Sequence, residues 1–213
     1  MNKYQAFLLS LSILAPAITG VVRYRKIPAS YHPLIYLLLL GLANEITCYL
    51  FFYHTSNAVP TNIYFLCEFL LLTWQFRNWK NILRIKWVYR LLMGGMSALW
   101  VAENIILGRI AVFSPAFQVA YSLALVLLAI NQLSWLVVND RSRIFTNPVF
   151  IIAIAIIIFF SYKVLTEIFY HYAPLSAIKN NIFVIESYLN VGYNILLTIA
   201  LICVPPKSSF IQL

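Results

Sequence analysis

Residues 62–76, NIYFLCEFLLLTWQF, form an apolar stretch with one carboxylate, that of Glu68, near its centre. A helix of roughly 17 to 25 apolar residues is long enough to cross a bilayer, and the run that contains this stretch covers about residues 60–77. A carboxylate in hydrocarbon is costly unless it is paired, protonated or in contact with water. The stretch therefore predicts a transmembrane helix in which Glu68 needs partners from elsewhere in the chain.

The composition of the whole chain is that of an integral membrane protein. Of its 213 residues, 62% are hydrophobic and 10% are charged, whereas soluble domains carry about 25% charged residues. The net charge of +9 does not indicate nucleic-acid binding, because nearly all basic residues lie in short loops between apolar runs. We expect an all-α integral membrane protein, with one transmembrane domain over residues 1–213 and the lipid bilayer as its surroundings.

Seven apolar segments are long enough to span the bilayer, so we predict seven transmembrane helices. The first could be read as a signal peptide, but Arg23, Arg25 and Lys26 directly behind it favour a retained helix. The fourth segment is the least apolar. The segments lie at about residues 5–22, 33–53, 60–77, 87–107, 114–138, 148–170 and 181–204.

The basic residues predict how the chain is oriented in the membrane. The turns after segments one, three, five and seven hold 11 of them: Arg23, Arg25, Lys26, Arg77, Lys80, Arg84, Lys86, Arg90, Arg141, Arg143 and Lys207. The opposite side holds 3, namely Lys3, Arg109 and Lys179. Basic residues concentrate in cytoplasmic loops, so we expect the N-terminus outside, the C-terminus in the cytoplasm, and a bacterial inner (plasma) membrane as the location.

Five of the six acidic residues fall inside the predicted spans, as Glu45, Glu68, Glu103, Glu167 and Glu186. With this orientation and a helical rise of about 1.5 Å per residue, the two deepest glutamates lie roughly 12 Å below the outer surface, and all five lie in the outer half of the membrane. Five unrelated glutamates would not be expected to lie in the same half of the membrane. Two alternatives stay open: glutamates near helix ends can extend to the interface, and polar side chains can merely bind helices to one another.

Other polar side chains share helical faces with these glutamates. We take as candidate ligand- or proton-binding residues Glu45, Glu68, Tyr64, Glu103, Glu167, Lys163, His171, Glu186, Asn190, Tyr193 and Asn194. Lys163 and Glu167 are spaced i, i+4, so we expect them to neutralise each other. Together these polar helical faces predict an outward-facing polar pocket. Its lining carboxylates would be buried and would repel one another, and both effects favour the protonated form.

Matches between the two halves of the chain indicate an internal duplication. Residues 44–46, NEI, correspond to residues 166–168, TEI, and an asparagine stands six residues before both Glu68 and Glu186. The halves would form two triple-helix repeats of the same orientation, at about residues 5–78 and 114–204, joined by a linker helix at about 87–107.

This three-plus-one-plus-three plan resembles that of the SWEET sugar transporters, the PQ-loop transporters and the KDEL receptors, which also place the N-terminus outside. The resemblance covers topology and length over the whole chain. The Pro-Gln pair that names the PQ-loop group is absent, since neither Pro16 nor Pro115 is followed by Gln. The resemblance therefore implies an architecture and no particular ligand.

Several chemistries are disfavoured by the residues present. Segment seven has no lysine for a retinal Schiff base, and the chain has no paired-histidine motif and no serine-hydrolase signature. We expect no metal and no other cofactor. The favoured hypothesis is a small transporter or permease for a solute, with proton coupling as one option.

Two other functions stay open. A seven-helix receptor or sensor would bind a ligand without moving it, and its basic loop from Arg77 to Arg90 could contact a cytoplasmic partner. An intramembrane enzyme acting on lipid is the least favoured.

Overall fold

The computed structural model describes residues 3–51, 56–79, 82–139, 144–172 and 176–207. These residues form helices and short turns, with no strand among them. The helices are α1 (Lys3–Ser10), α2 (Leu14–Arg23), α3 (His32–Phe51), α4 (Ala58–Asn78), α5 (Lys86–Val101), α6 (Pro115–Asn139), α7 (Pro148–Tyr172) and α8 (Ser176–Cys203). The all-α prediction is confirmed, and each of the seven predicted segments is helical.

Among the described residues, four stretches are long and apolar enough to cross a membrane, which makes the chain a membrane protein. They are Ala29–Phe51, Pro115–Asn139, Pro148–Phe169 and Val184–Cys203. The other three predicted segments are also helical, but each is interrupted, shorter or more polar than these four stretches. A short 3₁₀ turn, Leu11–Ile13, separates α1 from α2, and α5 has 16 residues before a π-helical turn, Ala102–Ile106. Helix α4 has 21 residues, but the polar side chains within it lower its hydropathy.

Six helices contact one another in a closed cycle. Helix α3 packs along α4, α4 contacts α6, α6 packs along α7, and α7 packs along α8; α2 then contacts both α8 and α3. Helix α5 lies against α4 and α6. The five largest fully buried side chains, Phe69, Phe76, Phe117, Tyr121 and Phe160, come from α4, α6 and α7. The best-packed part of the core therefore lies where these three helices meet.

Two buried amide side chains fix both ends of α4. Near its start, Asn62 Nδ2 donates to the carbonyl oxygens of Ile110 (3.0 Å) and Val112 (2.8 Å). Near its end, Gln75 Nε2 donates to Ser30 O at 2.6 Å, and Gln75 Oε1 accepts from the backbone N–H of Leu34 at 3.1 Å. A buried polar group must be hydrogen-bonded to be tolerated, so these bonds define the depth and rotation of α4, and with them the position of Glu68.

Arg23 joins the first part of the chain to the last. Its guanidinium donates to the carbonyl oxygens of Leu201 and Ile202, at 2.5 Å each, and of Val204, at 2.8 Å. The last carbonyls of a helix have no partner within the helix, and a cation there also interacts favourably with the helix dipole. A residue that the sequence marks as a topology signal is thus also the cap of α8.

We expect Arg23→Ala to lower the free energy of unfolding by about 2 kcal/mol, because it leaves three carbonyl groups without a donor and removes a cation from the helix end. The measurement is thermal or denaturant unfolding of the purified protein in detergent. Arg25→Ala is the matched control, since Arg25 is exposed and should cost much less. Equal losses in the two variants would show that the cap does not stabilise the bundle.

Candidate functional site

Glu68 on α4 forms an ion pair with Lys163 on α7. The distance from Lys163 Nζ to Glu68 Oε2 is 3.5 Å, and the residues are only 4% and 6% exposed. We expected Lys163 to pair with Glu167, one turn along the same helix; the ammonium instead reaches across the helix interface. Glu167 is half-buried and remains close enough to interact electrostatically with Lys163. The deeper carboxylate has lost more water and so gains more from the cation.

Two tyrosine hydroxyls complete the hydrogen bonding of Glu68. Tyr64 donates to Oε1 at 3.0 Å, and Tyr121 on α6 donates to Oε2 at 2.8 Å. Lys163 Nζ in turn donates to the Tyr121 hydroxyl at 2.5 Å. We call Glu68, Lys163, Tyr64 and Tyr121 the Glu68 network. It ties α4, α6 and α7 together, and each carboxylate oxygen has a donor, as a buried carboxylate requires.

A glycine on α3 allows Tyr64 to take its place in this network. A Cβ atom added to Gly41 would lie 3.3 Å from the Tyr64 hydroxyl and 2.6 Å from Cδ1 of Ile13. Any other residue at position 41 would therefore force one of these side chains to move. The close approach of α3 holds the Tyr64 ring against α4, in reach of Glu68.

Aromatic rings surround the ammonium of Lys163. Its Nζ lies 4.0 Å from the ring centroid of Phe65, 5.1 Å from Tyr121, 5.5 Å from Phe160 and 5.9 Å from Phe159. A cation within about 6 Å of an aromatic face is attracted by the ring quadrupole. We call these four rings the aromatic cage. They replace some of the stabilisation that the ammonium loses with its water.

The remaining predicted carboxylates take different places. Glu186 is half-buried and, like Glu167, interacts electrostatically with Lys163. Glu45 is half-buried and lies within electrostatic reach of Tyr64. Glu167 and Glu186 therefore lie within electrostatic reach of the same lysine that pairs with Glu68.

Glu103 has a structural contact of its own. Its carboxylate accepts from the backbone N–H groups of Ala116 (3.2 Å) and Phe117 (2.8 Å), in the first turn of α6. The first N–H groups of a helix have no partner within the helix, and the positive end of the dipole favours an anion there. Glu103 thus caps α6, and it also lies within electrostatic reach of Glu167.

The other predicted residues are distributed along α7 and α8. Tyr193 is buried, stacks on Phe159 with ring centroids 4.6 Å apart, and has no hydrogen-bond partner for its hydroxyl within the part of the chain that the structure describes. Asn194 donates to Ser12 Oγ at 2.8 Å, beside the 3₁₀ turn between α1 and α2. Asn190 is half-buried. The side chain of His171 lies outside the described residues.

Sequence reasoning missed Tyr121 and the aromatic cage. Tyr121 stands seven residues from the predicted outer end of segment five, about the depth assigned to Glu68 in segment three. The number of residues from the outer helix end therefore places Tyr121 level with Glu68, and this signal was present in the sequence. The phenylalanines carried no such signal, because one phenylalanine in an apolar helix looks like any other.

A comparison of the chain with protein-family models, curated proteins and solved structures found no match. The chemistry of the site must therefore be argued from its geometry. Within the described ranges, no three His, Cys, Asp or Glu side chains are placed to hold a metal ion. What the Glu68 network offers is a reversible link: protonating Glu68, or supplying it with another cation, would release α4 from Lys163.

The ion pair itself can be tested by a double-mutant cycle with Glu68→Gln and Lys163→Met. Each single change leaves one buried charge without its partner, so we expect each to lower the free energy of unfolding by about 3–5 kcal/mol. The double variant, which removes both charges, should lose much less than the sum of the two. Unfolding in detergent gives all four values, and additive losses would mean that the two charges are not coupled.

Proposed function

We propose that the chain is a small seven-helix transporter, driven by or carrying protons, in which the Glu68 network controls the contact between its two halves. The observation that carries the proposal is the buried Glu68–Lys163 pair. Ionisable side chains inside membrane helices are expensive and commonly belong to an ion or substrate pathway. A buried ion pair is also weak evidence of a purely stabilising role, because desolvation offsets much of the attraction.

The position of the pair supports transport in particular. Glu68 belongs to α4, in the first of the two proposed repeats, whereas Lys163 and Tyr121 belong to α7 and α6, in the second. Transporters built from repeats alternate their access by moving one repeat against the other. Such a movement needs links between the repeats that can be broken and re-formed. A carboxylate that loses its cation when it gains a proton is a link of this kind.

The other glutamates provide a route by which protons could reach the Glu68–Lys163 pair. Glu167 and Glu186 interact electrostatically with Lys163, and Glu45 reaches Tyr64. With the N-terminus outside and the C-terminus in the cytoplasm of a bacterium, all of these groups lie on the extracytoplasmic side of Glu68 or level with it. Protons drawn from outside would therefore meet carboxylates before they meet the pair. Glu68 is enclosed in the structure, which we assign to a closed state of the transporter.

A receptor is the second candidate, and the enclosure of Glu68 favours it. Both carboxylate oxygens are bonded and the surroundings are aromatic, which suits a switch that rearranges without opening a path. On the proposed cytoplasmic side, Arg77 lies 4.2 Å from the ring centroid of Tyr89. This contact joins the end of α4 to the start of α5, on either side of the basic loop that a partner protein would contact.

Proton flux separates the two candidates. The purified protein is reconstituted into liposomes that contain a pH-sensitive dye, the membrane potential is clamped with potassium and valinomycin, and the external pH is lowered. We expect the wild type to acidify the interior faster than empty liposomes do. Glu68→Gln and Glu186→Gln should return the rate to that of empty liposomes, because an amide cannot take up a proton.

The matched control is Asp140→Asn, which changes the one acidic residue outside the predicted spans and should keep the wild-type rate. Size-exclusion chromatography before reconstitution shows whether each variant is folded. A wild-type rate equal to that of empty liposomes, or an unchanged rate in folded Glu68→Gln, would exclude the proposed proton transport.

A further inference from the structure

The surroundings of the Lys163 ammonium are those of a binding site for amines in general. The group meets a carboxylate oxygen of Glu68, the hydroxyl of Tyr121 and the face of Phe65. A carboxylate, a hydroxyl and an aromatic face also recognise a free alkylammonium ion, and aromatic cages bind quaternary ammonium groups. Lys163 fills this site from within the chain.

The balance of charge at the site favours cations. Glu68, Glu167 and Glu186 all interact with Lys163, so three carboxyl groups share one lysine. Two of them have no basic partner that the described part of the chain brings within salt-bridge distance. A second cation that entered the site would therefore meet carboxyl groups not yet neutralised by a lysine.

A buried polar group beside the cage is left unused. The hydroxyl of Tyr193 has no hydrogen-bond partner among the described residues, and the residue is buried, with only 8% of its surface exposed. Its ring stacks on Phe159 of the cage, and the hydroxyl is close enough to interact electrostatically with Glu68. Six other buried side-chain atoms among the described residues also lack a partner, and Tyr193 is the one whose ring stacks on the cage. Nearly all buried polar groups are hydrogen-bonded, so each exception needs an explanation. A ligand that bonds to Tyr193 would supply one.

We propose that Glu68, Tyr121, Tyr193 and the aromatic cage form a binding site for a small organic ammonium ion, and that Lys163 is its internal competitor. The inference rests on the proposed transport function, whose substrate class it names. When the ligand binds, Lys163 moves its ammonium from Glu68 to Glu167. That carboxylate lies one turn along the same helix face, where an i, i+4 pair forms readily, and the flexible lysine stem can reach it.

Binding can be measured by thermal unfolding of the full-length protein in detergent. Propylammonium chloride and tetramethylammonium chloride are titrated against sodium chloride at equal ionic strength. We expect the ammonium salts to raise the unfolding temperature of the wild type in a saturable way, because a ligand that binds the folded state stabilises it. In Lys163→Ala the competitor is gone and the removed atoms match propylammonium, so the midpoint should fall by about tenfold or more.

Two pairs of variants show where the ion binds. Phe65→Leu removes the nearest ring and should weaken binding roughly fivefold, whereas Phe145→Leu changes a ring that is 83% exposed and should leave it unchanged. Lys207→Ala, at an exposed lysine, is the control for Lys163→Ala. The Phe65 pair keeps the wild-type lysine, so it gives an answer even if Lys163→Ala does not fold.

The outcomes separate this inference from the transport proposal. If the wild type gains no stability from either ammonium ion beyond that given by sodium, the site belongs to Lys163 alone and the inference is wrong. If both Phe65→Leu and Phe145→Leu bind as the wild type does, the ion binds elsewhere, which also overturns it. Proton flux without ammonium binding would refute the inference but keep the transport proposal. Ammonium binding without proton flux would refute the transport proposal but keep the binding site.

Discussion

A lysine ammonium stays charged inside an apolar helix bundle only if other groups replace the water that it has lost. Taking an ion out of water costs several kcal/mol even after the protein relaxes, and no single contact of Lys163 returns that much. The carboxylate of Glu68, the hydroxyl of Tyr121 and the face of Phe65 act together. They come from α4 and α6, so the charge on α7 determines how three helices must be placed.

The same requirement explains the polar side chains away from the pair. In a bilayer no water is present to bond free backbone groups, so the ends and breaks of helices need partners from the chain. Asn62 holds the turn before α6, Glu103 caps α6 itself, and Arg23 caps α8. Each of these contacts joins elements that are distant in the sequence. The bundle therefore has a set of polar groups that serve structure, distinct from the few that surround Lys163.

The sequence was sufficient for the positions of the helices and insufficient for the partners of the charges. Apolar runs placed each helical segment within a few residues, because burial in lipid requires long apolar stretches. The partner of Lys163 could not be predicted: spacing along α7 made Glu167 the nearest carboxylate, and only the packing of α7 against α4 brings Glu68 closer. The capping role of Glu103 could not be predicted for a similar reason. Its capping role depends on the turn after the π-helical residues, where Gly108 has φ +64°, and that turn brings the start of α6 back to the carboxylate. The number of membrane spans is harder to predict for a different reason. The polar groups that position α4 also make this helix less apolar than a typical span.

In the proposed mechanism Lys163 alternates between Glu68 and Glu167, which would give the bundle two states. With Glu68, the lysine has an ion pair at 3.5 Å, one hydrogen bond to the Tyr121 hydroxyl of about 1.5–3 kcal/mol and cation–π contacts of about 0.5–2 kcal/mol. With Glu167 it would keep one ion pair in a less buried place, at a smaller desolvation cost. Shifting a two-state equilibrium from 1:99 to 99:1 takes about 5.5 kcal/mol, so an incoming cation must bind one state more tightly than the other by that amount. A proton on Glu68 acts in the same direction, because it removes the charge that holds the lysine. In the proposed transporter, this pair between α4 and α7 would couple a small ligand or a proton to the packing of the two proposed repeats, with no part of the chain required to unfold.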